Sequence, residues 1–127
     1  MLEGSTYHRD SLGNTGTIGP GDIQWMTSGR GILHEEMPRK DANGRVNGFQ
    51  LWVNLPKKLK MADPAYQDIP SYAIPEIVQD GTTVKVIAGK LGEQEGPAQT
   101  KIGALYLDIY LQGESDFVAL VPEGWNG

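Results

Sequence analysis

A chain of 127 residues, 39% of them hydrophobic, holds enough apolar content for one small core and no room for a second full domain. The formal net charge of −5, with Lys57, Lys58 and Lys60 as the one basic cluster, argues against direct binding to a phosphate backbone, so any nuclear role would run through protein partners. There is no cysteine, which removes disulfides and thiolate ligands and leaves nitrogen and oxygen donors for any metal.

The 17 glycines, 8 prolines and frequent short apolar runs, without a long 3.6-residue period, predict an all-β sandwich or barrel with few, short helices. No signal peptide and no 18-residue apolar run is evident, so the expectation is a soluble chain in the cytoplasm or nucleus.

In chain order, Thr6 to Asp10 reads as a polar strand in which His8 is an ordinary exposed residue. Leu12, Gly13 and Asn14 form a turn, Thr15 to Ile18 a strand, and Gly19 to Asp22 a second turn. Ile23 to Thr27 is the next strand. Ser28 to Gly31 connects it tightly to a strand over Ile32 to Met37, and the three short strands are expected to form an antiparallel meander. Gly19, Gly21, Gly29 and Gly31 are read as turn residues, because no helix follows to receive an anion.

The polar run after Pro38 reads as a hairpin tip leading to a strand over Gly48 to Leu55, where Phe49, Leu51 and Val53 alternate with Gln50, Trp52 and Asn54. Pro56 opens a short helical turn. Pro64, Pro70 and Pro75 make 62–75 the best candidate linker, since each fixes φ and removes a donor. Glu76 to Gln79, Asp80-Gly81 and Thr82 to Ala88 predict a hairpin, residues 89–100 a loop, and Ala104 to Leu111 a strand whose apolar face must be buried.

The chemistry concentrates between Gly19 and Pro38. On a strand, His34 and Glu36 share one face while Leu33, Glu35 and Met37 share the other, so an imidazole and a carboxylate can reach the same ion and Glu35 points away. With further imidazoles from a neighbouring strand, such a pair suits non-haem Fe(II) with open positions. From spacing alone, a half-exposed His-x-Glu pair without an ion is the commoner arrangement. Gln24, Met26, Gln50 and Trp52 are candidates either for the cavity wall above the ion or for core packing.

The run HRDSLGNTGTIGPGDIQWMTSGRGILHEEMP, followed by GFQLWVNLP, VKVIAG and LYLDIYL, resembles the pirin family of bicupin proteins over essentially the whole chain. The resemblance implies a cupin-type antiparallel β-sandwich (jelly-roll), with 1–75 as a partial N-terminal, metal-binding half and 76–127 as the opening of a C-terminal half. It implies one Fe(II) held by an H-x-H pair together with two residues that correspond to His34 and Glu36, whereas His8 is not a ligand in the family's pattern.

That H-x-H pair lies upstream of the segment matching Leu2, Glu3 and Gly4, so the chain resembles the middle of a pirin and supplies two of four ligands. The activity implied is that of an Fe(II)-dependent quercetin 2,3-dioxygenase acting on a flavonol, with Glu36 as ligand and proton acceptor. The alternative implied is an iron-dependent transcriptional co-regulator that docks onto transcription factors. By itself the 127-residue chain is expected to bind iron poorly, to be inactive and to associate through uncovered apolar surface.

Overall fold

The computed structural model describes residues 1–126, which form ten strands and two single turns of 3-10 helix, at Lys57–Leu59 and Ser71–Ala73. The strands are β1 (Ser5–Asp10), β2 (Thr15–Ile18), β3 (Ile23–Thr27), β4 (His34–Arg39), β5 (Ala65–Ile69), β6 (Glu76–Gln79), β7 (Thr82–Ala88), β8 (Lys90–Leu91), β9 (Gln94–Glu95) and β10 (Tyr106–Leu111). They pair antiparallel into a sheet of order β2-β1-β4, a sheet of order β10-β7-β6, and the two-stranded pairs β3-β5 and β8-β9. This is an all-β, cupin-type sandwich architecture.

Local chemistry accounts for the turns. The Asp10 carboxylate accepts hydrogen bonds from the Leu12 and Asn14 backbone N–H groups and from the Asn14 amide, closing β1 onto β2. Asp80 (φ 48°) and Gly81 (φ 76°) provide the two consecutive positive φ angles that a two-residue hairpin between β6 and β7 demands. Asp22 accepts from the Gly19 N–H with one oxygen and from the Ser71 N–H with the other, tying the GPGD turn to the chain 49 residues later.

The core lies where β7 meets β5 and the segment after it. Ile69, Ile74, Ile87, Ala88 and Ala98 form one buried cluster, with Ile23, Trp25 and Tyr106 packed against it. β7 is the central strand of its sheet and its last three residues are all buried.

Several expectations need correction. The meander does not form: β4 returns to pair with β1, while β3 leaves that sheet to pair with β5. Turn signals mark where a chain reverses but not which strand it reverses onto. The supposed linker 62–75 contains β5 and the buried Ile69 and Ile74, because its prolines fall outside the paired stretch AYQDI. Strand β4 runs on through Pro38, which an edge strand tolerates since it has only one neighbour to donate to.

Gly48 to Leu55 forms no strand and leaves Phe49 and Trp52 each 83% exposed. Alternation makes a segment capable of pairing, but a strand also needs a partner edge. The loop 89–100 contains the β8-β9 hairpin. The last strand starts at Tyr106, and its expected apolar face is incompletely covered, with Ile109 and Leu111 exposed.

Candidate functional site

Pairing of β1 with β4 sets the geometry. Glu36 stands opposite His8, His34 opposite Asp10, and Pro38 opposite Thr6. On the other face Arg9 Nε donates to Glu35 Oε2 at 2.6 Å, and the Arg39 guanidinium lies 5.8 Å from the centre of the Tyr7 ring. Glu35 therefore faces away from Glu36 and is engaged by an exposed arginine, a pair that contributes little to stability. Both His34 and Glu36 are exposed.

His8 is the residue the sequence misrepresents. It is 1% exposed, against the expectation of a solvated strand residue. Across β2 it faces Gly16, where even a Cβ would collide with the imidazole. Its ring stacks on Tyr66 with centroids 5.8 Å apart and planes 6° from parallel.

The Nε2 atom lies 3.4 Å from Asp68 Oδ2, inside ion-pair range but not aligned as a hydrogen bond, and neither ring nitrogen has a hydrogen-bond partner among the described residues. Asp68 Oδ1 in turn accepts from the Gln24 amide at 3.2 Å. The signal that could have found this cluster is the pair Tyr66-x-Asp68, two residues on one strand face, but the surrounding prolines led to a linker reading.

Electrostatics follow from the crowding of carboxylates. Tyr66 is pushed above the ordinary tyrosine range, chiefly by burial, then by the negative charges of Asp10, Glu36 and Asp68, all of which oppose a phenolate. Burial alone would raise the Asp10 carboxyl, but hydrogen bonds from the Asn14 side chain and the loop backbone outweigh it and hold Asp10 below its usual value.

Beside this cluster opens a cleft of about 740 Å³, within the range typical of small-molecule sites. Its wall includes Glu36 and all four of the residues singled out as cavity candidates, Gln24, Met26, Gln50 and Trp52, but not His34. Aromatic and aliphatic side chains such as Trp25, Phe49, Trp52 and Tyr106 alternate in the lining with polar ones, suited to a flat ligand that buries an apolar face and is oriented by polar groups.

Among the described residues no group of three or more His, Cys, Asp or Glu side chains is placed to hold a metal ion. His34 and Glu36 are two donors on one strand, and the nearest further imidazole, His8, is buried against Asp68 and Tyr66. The residues present therefore do not make a complete iron site, and no chemical step is derived through one. No described helix is long and apolar enough to cross a membrane.

An all-β cupin scaffold with an open cleft beside a His-x-Glu strand is the class that the fold and site define. A family model described as Pirin matches residues 1–53. The chain is 44% identical over 126 residues to Pirin-1 of Arabidopsis thaliana and 44% identical over 127 residues to Pirin of Homo sapiens, in each case over 99% of this chain and 43% of the relative. A crystal structure of quercetin 2,3-dioxygenase from Acinetobacter baumannii superposes with a TM-score of 0.74 at 40% identity, over 85% of this chain and 39% of that one. The chain belongs to the pirin family. It spans less than half the length of these curated relatives.

Proposed function

We propose that this chain forms part of a pirin-type, iron-dependent dioxygenase acting on a flavonol such as quercetin, with His34 and Glu36 as two of the iron ligands. In this reading residues 1–75 belong to the metal-facing cupin half and 76–127 open the second half. The observation that carries it is the placement of Glu36 on the wall of an apolar cleft, two residues along the strand from an exposed imidazole, in a chain 40% identical to a solved quercetin 2,3-dioxygenase.

The roles of this chain's own groups follow from that placement. Trp52, Met26 and their neighbours would hold a planar ring by apolar contact, while Gln24 and Gln50 supply polar contacts that fix its orientation. Glu36, on the wall, is placed to accept a proton from a bound hydroxyl. An iron held by His34 and Glu36 with further donors would supply Lewis-acid and redox chemistry.

The test is aerobic consumption of quercetin, with Fe(II) added, by a pirin of the relatives' full length that carries these 127 residues. Turnover should require the metal and fall at least about tenfold in His34→Ala and in Glu36→Ala. Undiminished turnover in either variant would remove that residue from the assignment.

A further inference from the structure

The tip that follows β4 runs Asp41-Ala42-Asn43-Gly44-Arg45, and from Ala42 to Arg45 every residue is exposed. Its backbone hydrogen bonds close on themselves. Asp41 N–H donates to the Arg45 carbonyl, Gly44 N–H to the Asp41 carbonyl, and the Asn43 and Arg45 N–H groups both donate to Asp41 Oδ1. The shape of the tip is therefore set by its own five residues and not by any strand laid beside it. The Asn43 carboxamide, by contrast, makes no hydrogen bond among the described residues.

We propose that Asn43 is a site of spontaneous deamidation, with water as the co-reactant. Gly44 N gives up its proton to base and attacks Asn43 Cγ, a C–N bond forms, the Cγ–Nδ2 bond breaks, and the departing nitrogen takes a proton from water and leaves as ammonia. Water then opens the cyclic imide at either carbonyl, giving aspartate or isoaspartate at position 43. A side chain on the attacking residue would crowd this approach. Gly44 has none, and even a Cβ built there would meet nothing within 4 Å.

The sequence offers three Asn-Gly pairs, at 43–44, 47–48 and 126–127, the last extending outside the described residues. The structure separates the first two. At Asn43 the attacking nitrogen must leave one exposed hydrogen bond, in a short tip that can fray without disturbing β4, which slows ring closure by no more than about tenfold. At Asn47 closure must turn a carbonyl that accepts from both the Leu2 and Glu3 N–H groups, on a residue whose own N–H donates to Glu3. Gly48 is also packed against Met1, whose Sδ would lie 2.8 Å from a Cβ at Gly48. Asn43 is thus the site that reacts first.

The product reaches beyond the tip. Isoaspartate lengthens the backbone by one methylene, which breaks the spacing that lets Asp41 Oδ1 hold two N–H groups. Either product sets a new carboxylate beside Arg45, in competition with Glu3, whose Oε1 lies 3.1 Å from Arg45 Nη1. Val46 and Asn47, next in sequence, belong to the cleft wall, so the change loosens one side of the cleft.

The test is to incubate the chain at mildly alkaline pH and body temperature and to map its peptides by mass spectrometry, scoring the amide-to-acid mass gain and isoaspartate at each Asn-Gly pair. Asn43 should convert at least about fivefold faster than Asn47, and the Glu3 and Asn47 amides should exchange hydrogen faster in the converted chain. Asn43→Gln should abolish both changes. In urea, where the bonds that separate the two sites are gone, their rates should converge. Equal rates in the folded chain, conversion of Asn47 first, or a preference for Asn43 that persists unchanged in urea would overturn the proposal, and so would conversion at Asn43 that leaves exchange at Glu3 and Asn47 unaltered. None of these readouts involves iron or quercetin, so they stand apart from the proposed activity.

Discussion

At the scale of the residue, the cost of the site is concentrated on His8. The buried imidazole, whose nitrogens find no hydrogen-bond partner among the described residues, stacks on Tyr66, and Gly16 opposite it has no side chain to collide with the Nε2 edge. Gly16→Ala fills that space, and overpacking of this kind costs about 1–3 kcal/mol, measurable by urea denaturation. A loss smaller than the error of the measurement would mean that His8 has room to move. Tyr66 gives a pH signature with a defined sign. Its folded pKa is raised, so its stabilising contribution is complete below the unfolded value of about 10 and disappears as pH rises through the higher folded value. An ultraviolet titration should show one of the five tyrosines ionising late, and Tyr66→Phe should abolish that late phase. Asp10 has the opposite sign, its contribution being present at neutral pH and lost as pH falls through its lowered folded value. The His34–Glu36 face was legible in the sequence because strand periodicity is rigid. The burial of His8 was not, because burial depends on which strands cross it, and Tyr66 and Asp68 are about sixty residues away in sequence.

At the scale of the element, strands whose pairing is local were readable and those whose pairing is distant were not. The β6-β7 hairpin follows from Asp80-Gly81 and its flanking alternation, and it forms with Gln79 opposite Thr82 as a two-residue turn requires. By contrast β3 finds β5 nearly forty residues on, a choice fixed by shared burial and not by any turn signal. The 48–55 segment is the converse case: its alternation predicts a strand, and none forms because among the described residues no strand edge lies beside it to pair with. Because β7 is central and enclosed, Ile87→Ala should lose about 2–5 kcal/mol in denaturation, while Val78→Ala on the exposed side of β6 should stay within about 0.5 kcal/mol. Equal losses would mean that the core is not centred on β7.

At the scale of the whole molecule, family, architecture and cleft agree with one another, whereas the donor set is incomplete among the described residues. A metal site competes only with its full ligand set and supporting contacts, so the 127-residue chain should show no one-to-one, submicromolar binding when titrated calorimetrically with Fe(II). Tight stoichiometric binding would mean that other side chains rearrange to complete the site. The most direct measurement is the Fe(II) affinity of a pirin of the relatives' full length carrying these residues, compared with its His34→Ala and Glu36→Ala variants. One tightly held iron per chain, weakened at least about tenfold by either substitution, is the predicted result; an affinity that neither change alters would contradict the assignment of this strand to the metal.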